Sequence, residues 1–268
     1  MTALRIFIEG AAFWSATLPG WPIARAALRG EGGFTEPPAK RPAPEILAPA
    51  ERRRAPDSVA LALEVATAAV RDSGRDANMP SVFTSAHGDL AVNDYMCTTL
   101  ASQATSISPT RFHNSVHNAS AGYWTIGTGC MAASTALTAF EHSFAAGLLE
   151  AATQCVADAG PVLLVAFDVQ SVGALASVTA SEGLLAAAFV LAPERSARTQ
   201  ASFELSLLAG ASAAVPLRSE AARSLRHNAM ADVLPFVEAL ALGEADTLDL
   251  PLSRTLALRL VPLPAEQP

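Results

Sequence analysis

The chain has 268 residues, of which 51% are hydrophobic and 16% charged, with a formal net charge of −7, a pI near 5.2 and a positive mean hydropathy. That length suits one large domain or two small ones, and so thin a cover of charge implies a large buried core with a buried subunit face. The acidic balance excludes a nucleic-acid footprint, no apolar run nears the roughly 18 residues of a membrane helix, and the Met1–Arg5 start lacks the regions of a signal peptide. A soluble, cytoplasmic chain is therefore expected. Cys97, Cys130 and Cys155 are odd in number and lack metal-ligand spacing, which suits reduced thiols and neither a disulfide frame nor a metal.

"LRIFIEGAAFW" alternates at Leu4, Ile6 and Ile8, which predicts a strand running into a turn. In "WPIARAALRGEGG", Pro22 suits the first turn of a helix that Gly30, Gly32 and Gly33 end. Residues 35–50 carry five prolines and read as a surface crossing. Arg52, Arg53 and Arg54 read as a solvated helix edge more readily than as a phosphate site. Asp57 or Ser58 can cap a helix with two apolar faces, Val59, Leu63, Ala66 and Val70 on one and Leu61, Val65 and Ala69 on the other. "SVFTSA" (81–86) predicts a short strand, and Asp89 can cap the helix after it. "STAL" (134–137) predicts another strand, and 141–156 a helix. The apolar runs 161–168 and 184–192 predict strands buried on both faces, and the alternating 201–210 is expected to pair beside the second. Residues 211–230 read as helical with a charged face, Pro235 as a helix start, and 254–263 as a closing strand ended by Pro262. Strands alternating with helices imply a layered α/β fold.

Three segments resemble the N-terminal half of a β-ketoacyl synthase, of the thiolase-like fold. They are "IFIEGAAFWSA", "LAPAERRRAPDSVALALEVATAA" and, most specifically, "SPTRFHNSVHNASAGYWTIGTG" (108–129). The resemblance spans residues 4–30 and 50–193 and is similar above all to the chain-length-factor partners of polyketide and aryl-polyene ketosynthases. It implies one β-ketoacyl-synthase-like domain over 1–268, with a core at 1–195 and a shortened C-terminal part at 196–268. The architecture it implies is helix–sheet–helix, mainly one half-unit plus a short remnant.

In active members the strand after the 108–129 motif ends at a cysteine on a strained turn, where the positive end of a helix dipole favours the thiolate. Counting without gaps from Gly122 puts that position on Glu141, in "STALTAFEHSFAAG", with His142 beside it. A carboxylate cannot form the acyl thioester of a Claisen condensation. Active members also use two histidines from their C-terminal half; here only His227 follows His142, and "SLRHNAMAD" matches neither histidine motif.

Glu141 could act as a general acid or base; its plainer reading is a helix N-terminal carboxylate satisfied by backbone N–H groups. His142 could bond across a subunit interface, and its plainer reading is a satisfied polar residue. His113, Asn114, His117 and Asn118 are read as interface or tunnel residues along with Trp124 and Phe140; the His113–His117 spacing lacks a third metal ligand. Cys130 and Cys155 read as inert packing, and "TIGTG" lacks the strand and helix context of a nucleotide loop.

The resemblance implies a non-condensing partner that pairs with an active ketosynthase and works with an acyl carrier protein, without a cofactor. Whether the assembly is homo- or hetero-oligomeric is left open by the residues alone. Two rival readings are a malonyl- or acyl-thioester decarboxylase or hydrolase using Glu141, and a scaffold without a tunnel.

Overall fold

In the computed structural model, which describes residues 3–210, 213–243 and 246–264, the alternation near the start becomes a central strand, β1 (Leu4–Ser15). Around it stand β2 (Ser81–Thr84), β3 (Ser134–Leu137), β4 (Val162–Asp168), β5 (Leu185–Ala192), β6 (Ala201–Ala209), β7 (Leu248–Ser253) and β8 (Leu256–Pro262). Among the described residues these form one eight-stranded sheet in the order β3-β2-β4-β5-β1-β6-β8-β7. The pairs β3–β2 and β2–β4 are parallel, and the others antiparallel.

The helices cover both faces, which is why the central strands read as unbroken apolar runs. The helices α3 (Asp57–Ser73) and α6 (Ala119–Thr128) lie on one face. There Leu61, Val65 and Trp124 share a core with Leu163, Val165 and Phe167 of β4 and Ala186, Ala188 and Val190 of β5. The other face carries α1 (Trp21–Leu28), α7 (Ser143–Ala157) and α9 (Leu234–Leu242). Phe144 and Phe236 pack there against Leu164 of β4 and Phe189 and Leu191 of β5. Ring centroids of Phe144, Phe189, Phe203 and Phe236 stand 5.0–5.9 Å apart, and each such pair adds about 0.5–1.5 kcal/mol to the area it buries. The other α-helices among the described residues are α2 (Pro49–Arg54), α4 (Leu90–Gln103), α5 (Pro109–His113) and α8 (Glu220–Ser224).

Close approach of α3 to the sheet depends on Gly10, where the register of β1 against β5 shifts. A Cβ there would lie 2.3 Å from the Ala69 carbonyl oxygen. Beside the irregularity, the Ala11 N–H donates to Asp72 Oδ2 of α3 at 2.9 Å. Buried Glu9 pairs with Arg75 and accepts from the Ser196 hydroxyl, so the charge is compensated; these partners hold its carboxyl below the usual range against the opposing effect of burial.

Three sequence expectations are corrected. Strand β6 does not neighbour β5, because β1 inserts between them and pairs with both. Of the described residues within 211–230, Glu220–Ser224 alone is α-helical; the Arg218 and Ser219 N–H groups bond the buried Glu238 carboxylate instead. The closing strand expected at 254–263 is β8, which Pro262 ends, while β7, a strand that Asp249 and Pro251 disguise in the sequence, pairs outside it at the sheet edge. Finally α3 has no side-chain cap: Pro56 takes the cap position, Asp57 pairs with Arg41 at 2.7 Å, and the Ser58 hydroxyl donates to Asp89.

Candidate functional site

The three parallel strands end together, and the loops at their carboxyl ends form the crevice where an open α/β sheet presents its chemistry. After β3 the chain makes a 3₁₀ turn, Phe140–His142, and enters α7. Phe140 has φ 52°, the left-handed region that a bulky side chain avoids without support. Support comes from Ser143, whose hydroxyl donates to the Phe140 carbonyl at 2.7 Å and accepts from the Ala139 N–H at 3.0 Å. The Thr84 hydroxyl of β2 then donates to the Ser143 carbonyl at 2.8 Å. Gly147 lets α7 descend on β2, since a Cβ there would meet Thr84 Cγ2 at 2.8 Å.

The sequence count centres the turn on Glu141, but the strained residue is Phe140, one position earlier. Glu141 is exposed, and among the described residues it has no hydrogen bond or ion pair. It does not cap α7. The cap comes from Asp232, whose Oδ2 accepts from the Phe144 N–H at 2.8 Å. Burial pushes the Asp232 carboxyl up to about 8, opposed by the Phe144 and Ala145 N–H groups and reinforced by nearby Asp168. His142 is half-buried.

Asp168, at the carboxyl end of β4, organises the opposite wall. It accepts from the Ser85 hydroxyl (2.8 Å), the Ala86 N–H (2.8 Å) and the His87 N–H (3.3 Å), and burial pushes its carboxyl up to about 7. The loop thus held puts the His87 ring edge-on to Phe140, centroids 6.0 Å apart, and burial lowers the His87 pKa. Phe140 itself is 66% exposed.

The residues of the 108–129 motif separate. His117 Nε2 donates to the Ser85 carbonyl at 3.1 Å, tying the motif to the His87 loop. His113 packs edge-on to Tyr123, 6.1 Å away, and is otherwise exposed. Asn118 stands at the α6 N-terminus without a side-chain cap bond. Asn114 is buried beside a separate cavity. Trp124 is 1% exposed in the α3-side core. Of the thiols, Cys130 donates weakly to the Met79 carbonyl at 3.6 Å, burial pushes Cys155 up to about 12, and Cys97 is exposed on α4. Asp168, Asp232 and His87 escaped the sequence reading. The apolar run "PVLLVAFD" ending in Asp was a usable signal for the first; nothing local points to Asp232.

A helix–sheet–helix sandwich whose parallel strands feed a strained turn into a helix is the thiolase-like fold of ketosynthases. Within that class the chain belongs to the β-ketoacyl synthase family: the family described as "Beta-ketoacyl synthase, N-terminal domain" matches residues 29–249. No curated protein matches the chain. Among solved structures, a chain of the ketosynthase ApeO in complex with its chain length factor ApeC, from Xenorhabdus doucetiae, is 23% identical with a TM-score of 0.72. The match covers 96% of this chain and 99% of that one. A chain of the ishigamide ketosynthase/chain length factor is 16% identical with a TM-score of 0.74, over 97% of this chain and 100% of that one. A ketosynthase from module 1 of the bacillaene synthase of Bacillus amyloliquefaciens is 14% identical with a TM-score of 0.55, over 79% of this chain but 47% of that one. Among the described residues no helix is long and apolar enough to cross a membrane.

Proposed function

We propose that this chain is a non-condensing, chain-length-factor-type subunit that pairs with an active ketosynthase in polyketide-type, aryl-polyene biosynthesis. The observation that carries the reading is Phe140. Its left-handed backbone marks the position a nucleophilic cysteine would take, and a phenyl ring cannot carry an acyl group. The helix end that would stabilise a thiolate or an oxyanion is already closed by Asp232. The same closure takes the Phe144 N–H from any oxyanion that thioester decarboxylation by Glu141 would form.

Pairing has its own physical support. Strand β3 is a sheet edge, and the segments joined to it expose Ile126 at the end of α6, Met131 before the strand and Phe140 after it. Such apolar exposure beside an open edge suits a protein partner. The partner would supply the nucleophile and histidines, an acyl carrier protein would deliver the chain, and Phe140 with His87 would contribute to the wall that limits its growth. The scaffold alternative involves no such wall, so it requires product length to ignore Phe140.

The test is co-expression with the cognate ketosynthase. A 1:1 complex is expected, lost on introducing Met131→Asp and Ile126→Asp together, and Phe140→Ala in the intact complex shifts product length. Intact-mass measurement after incubation with acyl-loaded carrier protein should find the acyl group on the ketosynthase. A monomer indifferent to the ketosynthase, or an acyl adduct on this chain, refutes the reading.

A further inference from the structure

We infer that the chain carries a second site, a pocket for a small organic anion, in the cavity between the N-termini of α3 and α4, helix α5 and the segment leaving β4. This cavity has a volume of about 730 Å³, inside the range of about 300–1,000 Å³ typical of small-molecule sites. It belongs to this chain alone and does not depend on the pairing proposed above.

Charge at the cavity is net positive once the Arg41–Asp57 pair is set aside, two arginines against one carboxylate. Arg54 and Arg111 both line it, and among the described residues neither guanidinium has an ion pair or a hydrogen-bond acceptor. Of the two lining carboxylates only Asp57 is neutralised by a cation, while Asp89 keeps its charge and is oriented by neutral donors. Asp57 is paired with Arg41 at 2.7 Å, and Asp89 accepts from the Ser58 hydroxyl at 2.9 Å and the Val92 N–H at 3.0 Å. Two unanswered guanidinium groups at one cavity run against the chain's net charge of −7.

Arg111 is held ready. Its guanidinium carbon lies 4.3 Å from the Tyr95 ring centroid, and the Tyr95 hydroxyl accepts from the Ser108 N–H at 3.0 Å. A guanidinium stacked on a fixed ring loses little further freedom on binding, and its in-plane N–H groups match the paired oxygens of a carboxylate or phosphate. Asn114 and the Ser108 and Thr110 residues of the α5 start line the same cavity and give it polar surface beside Arg111. Val92, Val169, Val172 and Leu184 complete the lining with apolar surface. The ligand is therefore an anion with a short apolar body, its head a phosphate monoester or a carboxylate.

Titration calorimetry of the full chain with n-hexyl phosphate, hexanoate and hexanol tests this. Saturable binding of at least one anion is expected, with no binding of hexanol. Arg54→Gln combined with Arg111→Gln should weaken it about 10-fold or more, as loss of a charge-assisted hydrogen bond does. Both arginines are exposed, so the variant folds, which circular dichroism checks. The tighter anion assigns the head group. Absence of saturable binding by both anions, equal binding of hexanol, or binding that ignores the double substitution overturns the site.

Discussion

Asp232 closes the N-terminus of α7 from 88 residues away in the chain, and it does so as a carboxyl that burial and Asp168 push up to about 8. Asp168 follows the same logic, pushed up to about 7. Both ordinarily titrate near 3.8. Between that value and pH 7–8 the folded chain holds protons that the unfolded chain has released, so stability falls as pH rises. The contribution is whole below pH 3.8 and gone once pH passes the folded values. Urea unfolding of the wild type is thus expected to show lower stability at pH 8.5 than at pH 5.5. Asp232→Asn keeps an acceptor for the Phe144 N–H but cannot ionise, so its curve should be flatter, with each pKa unit removed worth about 1.4 kcal/mol. Parallel pH curves for the two proteins would show that the Asp232 carboxyl does not titrate as described. Residue-level reading of the sequence found the turn but missed its centre by one position. Gap-free counting carries no information about φ, and only the left-handed backbone separates Phe140 from Glu141.

Elements were legible where local pattern and burial agree. The runs that became β4 and β5 are apolar because both faces are covered, and the two-faced pattern of α3 matches a helix pressed between the sheet and its neighbours. Asp89 caps α4 through the Val92 N–H, as its position before the helix implied. Long-range pairing was not legible. Nothing in "ASFELSLLAG" says that it will meet β1 and β8, and the backbone that Glu238 captures at Arg218 and Ser219 gives up helix for a partner some 20 residues on. The fit of α3 to the sheet depends on Gly10. In Gly10→Ala the new methyl would stand 2.3 Å from the Ala69 carbonyl oxygen and 2.8 Å from Ser73 Cβ. Because the obstacle is helix backbone, α3 must shift, and a loss of at least about 1–3 kcal/mol is expected from overpacking of this kind. Thermal unfolding of the variant checks it; an unchanged midpoint would mean that α3 can lift off the sheet freely.

At the scale of the molecule the two edges of the sheet differ in kind. The β7 edge contains Pro251, a register irregularity and the Arg259–Asp249 ion pair on its neighbour β8, all features that discourage addition of another strand. The β3 edge is a run of four residues, "STAL", without proline or charge, flanked by Met131 at 91% exposure and Phe140 at 66%. A chain with 16% charged residues has little with which to blunt that side. Association should therefore be one-sided. In the complex with a ketosynthase, amide hydrogen exchange is expected to slow across Ser134–Leu137 and the neighbouring 119–131 segment, and to stay unchanged across Leu248–Ser253. The β3 amides on the outer side gain acceptors only if the partner's backbone reaches them, so protection confined to 119–131 would mean side-chain contact without strand addition. Protection at β7 in place of β3 would place the partner on the opposite side of the molecule, away from Phe140, and the turn could then take no part in setting chain length.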